Sequence, residues 1–180
     1  RPFDGILPTL GQRTYIDPAA CVIGDVVLGD DVSVWPGTVI RGDVNYIRIG
    51  ARSNIQDGTI VHVSHDGPYG NPGGFATIIG ADVTIGHGAI VHACIIEDAC
   101  LIGMGSTILD GAIIRKHGFV GAGALIPPGK TVGSGERWLG AAFSGQGGGG
   151  RLQQTVWVKA SGTLWNPHTE QPVESATRGR

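Results

Sequence analysis

An aliphatic residue returns every six positions along most of this chain. Leu28, Val34 and Ile40 begin the series, and Ile49, Ile55 and Val61 continue it. From Ile79 it runs through Ile85 and Val91. After one five-residue step it resumes at Ile96, Ile102, Ile108, Ile114, Val120 and Ile126. Gly often follows the aliphatic residue. The residue four places after it is usually small or aliphatic: Val32, Thr38, Thr59, Val83, Ala89, Ser106, Ala112 and Ala124. A period of six fits neither a helix nor the alternation of a simple hairpin. It fits a parallel β-helix in which each face carries one short strand and one turn. Large and small inward residues fill each layer, and the turns take Gly, Asn or Asp. Three hexapeptides close one triangular coil, so fifteen such residues make five coils. Ile16 and Ile23 are expected to begin another. The expected fold is all-β, a parallel β-helix of about five to six triangular coils over residues 1–134.

Composition agrees. There are 32 Gly in 180 residues, and 19 Ile and 16 Val stand against 9 Leu. β-Branched side chains disfavour a helical protein. Gly without a Gly-X-Y period excludes collagen. A hydrophobic fraction of 41% with net charge −2 opposes general disorder. No apolar run approaches the roughly 18 residues of a membrane span, and no signal-peptide pattern opens these residues. Cys21, Cys94 and Cys100 are odd in number and lack C-x-x-C spacing, so they read as thiols of a reducing, cytoplasmic compartment. A pI near 6.3 without a basic cluster argues against nucleic acid.

The series is interrupted twice. Three extra residues lie between Ile40 and Ile49. Twelve lie between Val61 and Ile79, in a stretch holding His65, Asp66, Gly67, Pro68, Tyr69, Gly70, Asn71 and Pro72. Insertions into a solenoid leave it as loops and often carry function. After about Ser134 the repeat stops. Residues 145–150 read Gly-Gln-Gly-Gly-Gly-Gly, a linker composition. Residues 135–180 are expected to form a loosely ordered tail, or one ordered against a partner chain. Trp35, Trp138, Trp157 and Trp165 are scattered and read as packing or interface residues.

The repeat also sorts the six histidines. His62 follows Val61 and His92 follows Val91, so both hold one position in their hexapeptides. They lie thirty residues apart. Discounting the twelve-residue insertion leaves eighteen, which is one coil. Their side chains should stack on one face about 4.8 Å apart, a spacing that a metal with bonds of about 2.0–2.1 Å can bridge. His87 is two residues past Ile85 and belongs to the preceding face. It would reach such a metal from a neighbouring subunit, and a threefold trimer would build three such sites. Three protein ligands leave a fourth position for water, the pattern of catalytic zinc. The competing reading is a polar histidine ladder between packed faces.

Around these residues lie Arg41-Gly42-Asp43 and the trio Asn54, Gln56 and Asp57. Gln56 follows Ile55 and shares the phase of the stacked histidines, so its amide could orient a metal-bound hydroxide. Arg41 and Asp57 carry opposite charges and could pair, also across chains. His65, at the mouth of the long insertion, reads as a proton relay or as a solvated loop histidine. His117 and His168 have no partner at metal-ligand spacing.

Several strings together resemble the gamma-class carbonic anhydrase family: Gly42-Asp43-Val44-Asn45, Ser53-Asn54-Ile55-Gln56-Asp57-Gly58, Val61-His62, Ile85-Gly86-His87 and Val91-His92. Gly103-Met104-Gly105-Ser106 and Gly121-Ala122-Gly123-Ala124 match its later coils, and the resemblance covers about residues 6–140. It implies a left-handed β-helix, against the usual right-handed crossover, assembled as a homotrimer. It implies His62, His87 and His92 as metal ligands, with His87 from the adjacent chain. Gln56 would lie near the metal-bound solvent, with Asn54 and His65 as further catalytic candidates. Arg41, Asp43 and Asp57 would serve the site and the subunit contacts. The implied cofactor is zinc, with iron or cobalt as alternatives. The implied reaction is hydration of CO2 to bicarbonate by metal-bound hydroxide. Val44 and His65 occupy the family's acidic proton-shuttle positions, and the tail lacks the family's amphipathic helical period. Three rivals remain: acyl-CoA thioester hydrolysis, hexapeptide-type acyl transfer, and a non-catalytic trimeric scaffold with a vestigial metal site.

Overall fold

All fifteen residues of the six-residue series point inward, none more than 3% exposed. Their small partners fill the same interior: Val32, Thr38, Thr59, Val83, Ala89, Ser106, Ala112 and Ala124 are buried. The computed structural model describes residues 1–67 and 71–140. Beyond these it describes the backbone of four short strands, Gly149–Arg151, Trp157–Val158, Leu164–Asn166 and Gln171–Pro172. Every regular element among the described residues is a strand, and the solenoid is a left-handed parallel β-helix.

Three faces recur in chain order. One carries Tyr15–Ile16, Ser33–Val34, Asn54–Ile55, Thr84–Ile85, Leu101–Ile102, Phe119–Val120 and Glu136–Trp138. The next, the histidine face, carries the first halves of Cys21–Leu28 and Val39–Ile49. Ile60–His62, Ile90–His92, Thr107–Ile108 and Leu125–Ile126 follow on it. The third carries Thr9–Leu10, the second halves of the same two long strands, Thr77–Ile79, Ile95–Ile96, Ile113–Ile114 and Thr131–Val132. The two long strands turn the corner between the last two faces without a break, so those faces form one sheet. The three-residue insertion is absorbed inside Val39–Ile49. The twelve-residue insertion leaves after Val63 and is closed by an antiparallel bridge between Ser64 and Phe75.

Two details differ from the sequence reading. The solenoid has about seven turns, rather than five or six. The added strands are those at the two ends, whose inward residues break the aliphatic rule. Leu10 is half exposed, and Trp138 replaces the aliphatic residue at the other end. Ile23 does not join the inward series. Val22 does, six residues before Leu28 and paired with Ile40.

The strand Glu136–Trp138 continues the coil past Ser134, with the Trp138 ring N–H donating to the Leu125 carbonyl at 3.0 Å. Two compact units result, Arg1–Gly150 and Arg151–Arg180. In the second, Leu164–Asn166 pairs antiparallel with Trp157–Val158 and Gln171–Pro172. Most of the expected linker and tail, with Tyr69 and His168, lies outside the described residues. Among the described residues no helix is long and apolar enough to cross a membrane.

Gly follows the inward residue for a steric reason. A Cβ on Gly103 would meet the backbone nitrogen of Ala122, one coil on, at 2.4 Å; on Gly50 it would meet Ala81 at 2.5 Å. Coils stacked by backbone hydrogen bonds leave no room there for a side chain.

At the corner ahead of the first face, the chain takes the left-handed conformation at Arg13, Asp31, Arg52 and Asp82, with φ of 53°, 57°, 59° and 58°. These four stack with alternating charge. Arg13 and Asp31 share two hydrogen bonds of 2.7 Å, as do Arg52 and Asp82. The Arg13 hydrogen bond holds Asp31 below the ordinary carboxylate range, and Arg52 does the same for Asp82. The ladder's contribution is therefore present above about pH 4. It is lost as pH falls through the lowered values.

Two outcomes follow. Ile102→Ala opens a cavity between the layers of Ile85 and Val120 and should cost about 2–5 kcal/mol in urea denaturation; a cost within experimental error of zero contradicts the packing described. Asp82→Asn should make stability fall less steeply with acid, by less than about 1 kcal/mol for this exposed pair. Urea midpoints at neutral and acid pH measure this, and an unchanged slope contradicts it.

Candidate metal centre

His62 and His92 stand side by side on the histidine face. Their strands pair in parallel, with Ile60 opposite Ile90, Val61 opposite Val91 and His62 opposite His92. Alternation along each strand turns the valines into the core and the flanking residues outward. The imidazole centroids lie 5.1 Å apart, tilted by 54°. Nδ1 of His62 faces Nε2 of His92 at 3.1 Å.

A carboxylate closes each end of this pair. His62 Nε2 lies 2.9 Å from Asp43 Oδ1, and His92 Nδ1 lies 2.6 Å from Asp110 Oδ1. Ionised carboxylates only accept hydrogen bonds, so each takes an N–H from its histidine. A neutral imidazole has one N–H. The two nitrogens that face each other then both present lone pairs, which a metal ion or a shared proton between them satisfies. Two Zn–N bonds of about 2.1 Å at a tetrahedral angle span about 3.4 Å, close to the gap observed. The donor set therefore fits two ligands of a zinc centre.

Electrostatics agree at His62. Burial pushes its pKa down, opposed by the Asp43 hydrogen bond, while Arg41 and His92 add to the fall. A neutral imidazole is the form that ligates. Asp43 is only 9% exposed. Burial opposes its ionisation, but the His62 and backbone hydrogen bonds and the Arg41 charge outweigh it and hold the carboxyl below its ordinary range. Arg41 pairs with Asp43 on its other side.

The strand ends are tied together beneath the rings. Thr77 is fully buried. Its hydroxyl donates to the His62 carbonyl at 2.5 Å and accepts from the Ala93 N–H at 2.9 Å. The Ala93 N–H also reaches the His62 carbonyl at 3.0 Å. Neither Thr77 nor Asp110 was among the expected site residues. Asp110 lies eighteen residues past His92, but the coil between them has seventeen. It stands one residue past Leu109, which the register sets opposite His92, and phase alone did not signal it. Thr77 follows the irregular insertion and had none.

The other expected residues lie at the opposite edge of the histidine face. Gln56 and Asp57 follow Asn54–Ile55, and His87 follows Thr84–Ile85, both strands of the preceding face. His87 Nδ1 lies 2.9 Å from Asp57 Oδ2, and both side chains are about half exposed, at 53% and 49%. Arg41 and Asp57 thus have separate partners within the chain. The Asn54 amide donates to the Ser33 hydroxyl at 2.7 Å. His65 is exposed at the base of the insertion, over Gly67. Among the described residues of one chain, no three His, Cys, Asp or Glu side chains gather to hold a metal.

The bacterial transferase hexapeptide (six repeats) family matches residues 8–42. Protein YrdA of Escherichia coli (strain K12) is 51% identical over 141 residues, 78% of this chain and 76% of that protein. Gamma carbonic anhydrase 1, mitochondrial, of Arabidopsis thaliana is 47% identical over 133 residues. The chain belongs to the hexapeptide-repeat family. The match covers 74% of this chain but about half, 48%, of the Arabidopsis protein. A solved structure of a hexapeptide transferase family protein from Anaplasma phagocytophilum superposes with a TM-score of 0.72 at 38% identity. That match covers 86% of this chain and 82% of the other.

The buried hydroxyl beneath the histidines gives a measurable consequence for this hexapeptide-repeat chain. Thr77→Val keeps the shape but removes the hydrogen bond to the His62 carbonyl. Urea denaturation should show a loss of about 1–3 kcal/mol. Unchanged stability would mean that the hydroxyl does not tie the two histidine strands.

Proposed function

We propose that the chain is a zinc-dependent, carbonic anhydrase-like enzyme that hydrates CO2 to bicarbonate, acting as a homotrimer with its sites between subunits. The observation that carries this is the pair of facing histidine nitrogens at 3.1 Å, each backed by a carboxylate. Similarity to two mitochondrial gamma carbonic anhydrases of Arabidopsis thaliana supports the same reaction. Bound zinc supplies Lewis acidity that makes hydroxide available near neutral pH, and iron or cobalt suits the same donors.

The chain's own residues have distinct tasks. His62 and His92 hold the metal from one subunit. His87 of the adjoining copy completes the set, which explains why it sits half exposed at the far edge of the face. Gln56 lies on that same edge and arrives with it, its amide placed to orient the attacking oxygen. The exposed His65 passes the product proton to solvent. Asp43, clamped by Arg41, holds His62. Asn54, bonded to Ser33, steadies the Gln56 strand and takes no direct part. An apolar surface supports the subunit contact: Ile60 and Ile90 are 45% and 39% exposed, and they project beside the two histidines. The reducing-compartment thiols support a cytoplasmic site of action.

Similarity to the hexapeptide transferase family protein of Anaplasma phagocytophilum supports one other reading, hexapeptide-type acyl transfer. Full transferase turnover by metal-free protein would support it.

Metal content and CO2 hydration, measured on one preparation, test the main reading. The protein should carry about one zinc per chain. His92→Ala and His87→Ala should each lose more than about 100-fold in kcat/KM. Reassembling the two variants together should restore part of the activity, because one interface then combines an intact His62–His92 pair with an intact His87. Equal activity of His92→Ala and the unaltered protein sinks the reaction. Failure of the mixture to recover sinks the shared site.

A further inference from the structure

We propose that Asp110 is a positioning residue that fixes His92 in its Nδ1–H tautomer and so aims the Nε2 lone pair at His62. The proposed function supplies the zinc arm of the test below but not the tautomer arm.

The geometry is specific. At 2.6 Å, the Asp110–His92 contact is the shorter of the two carboxylate contacts that bracket the histidine pair. Asp43 divides its carboxylate between Arg41 and His62. Among the described residues, His92 is the partner of the Asp110 side chain. An undivided carboxylate against one ring nitrogen leaves the imidazole one neutral form, with its hydrogen on Nδ1.

The backbone around Asp110 is held from both neighbouring coils. Leu109 N–H donates to the Ile126 carbonyl at 3.1 Å, and Gly129 N–H donates to the Asp110 carbonyl at 2.8 Å. Gly111 N–H donates to the Ala93 carbonyl at 2.7 Å, which ties the turn to the residue after His92. Gly111 itself takes a left-handed φ of 69°. The Phe75 ring lies so close over it that an added Cβ would approach within 3.2 Å. The carboxylate is thus presented from a fixed turn one coil beyond the histidine it contacts. A ligand nitrogen must point at its metal before binding, and a second carboxylate or carbonyl on the other ring nitrogen is what holds it there.

The test uses the full chain and the variants Asp110→Asn and Asp110→Ala. Nitrogen-15 NMR of the histidine rings in zinc-free protein reads the tautomer, with His92 assigned by comparison with His92→Gln. Competition with a chromophoric chelator reads zinc affinity. In the unaltered protein His92 should carry its hydrogen on Nδ1. In Asp110→Ala the Nε2–H form should appear and zinc should bind about 10–100-fold more weakly. Asp110→Asn, whose amide oxygen still accepts from Nδ1–H, should fall between Asp110→Ala and the unaltered protein. The thermal midpoint of the zinc-free protein controls for a structural role.

An unchanged His92 tautomer in both variants overturns the proposal, whatever happens to stability. So does zinc affinity within twofold of the original. If the unaltered protein binds no zinc, the metal reading fails, and the tautomer comparison alone decides the role of Asp110.

Discussion

Coils stack in register along one axis, and each inward side chain sits on the one below. Ile85, Ile102 and Val120 form one such column, and Val61, Val91 and Ile108 another. Backbone hydrogen bonds between coils hold successive layers about 4.8 Å apart. At that spacing the corner glycines have no room for a Cβ, and the aliphatic residues have no room to slip by one place. A slip of one residue would turn every buried side chain to solvent. The period is therefore rigid, and any residue's place on the surface is set by its phase. Extra chain must leave the solenoid, as after Val63, or bend a strand around a corner, as in Val39–Ile49.

That rigidity decides how chemical groups can meet. Residues in register one coil apart on one face come together automatically, which is how His62 and His92 line up. Asp110 reaches His92 from the next coil's turn, one residue past the in-register Leu109. Residues on successive faces diverge around the prism. His87 and Asp57 therefore stay at one edge of the histidine face, while the His62–His92 pair stays at the other with Asp43. Each edge carries its own carboxylate–histidine contact. A flat, rigid face cannot fold its two edges onto each other. Joining them takes a second copy of the face, and the exposed Ile60 and Ile90 lie on the surface it would cover.

Much of this was legible in the sequence because phase is legible. The fifteen inward residues, the stacking of His62 on His92 and the offset of His87 all follow from counting in sixes. What was missed lay mostly where the repeat is irregular. Val22 is six residues before Leu28 and is the inward position, not Ile23. The end coils have fewer aliphatic markers, so the number of turns was underestimated. Asp43 reaches His62 from inside the three-residue insertion, where phase alone gives no contact. Thr77 follows twelve inserted residues. Asp110 stands one residue out of phase with His92, because the coil between them is one residue short.

The two carboxylates on the histidine pair are unequal, and the inequality has a structural source. Asp43 is buried, shares its charge with Arg41 and belongs to a long strand interrupted by an insertion. Asp110 is more open and stands in a regular turn, braced by neighbouring coils and by Phe75. Length changes in the first segment would move Asp43 while leaving the stacked His62–His92 pair intact, because that pair is fixed by the repeat itself. The repeat thus protects the geometry of the pair. The insertions, which carry Arg41, Asp43 and His65, leave charge and proton traffic around it open to change. In a solenoid, ligand geometry belongs to the core, and the tuning of its chemistry belongs to what the core excludes.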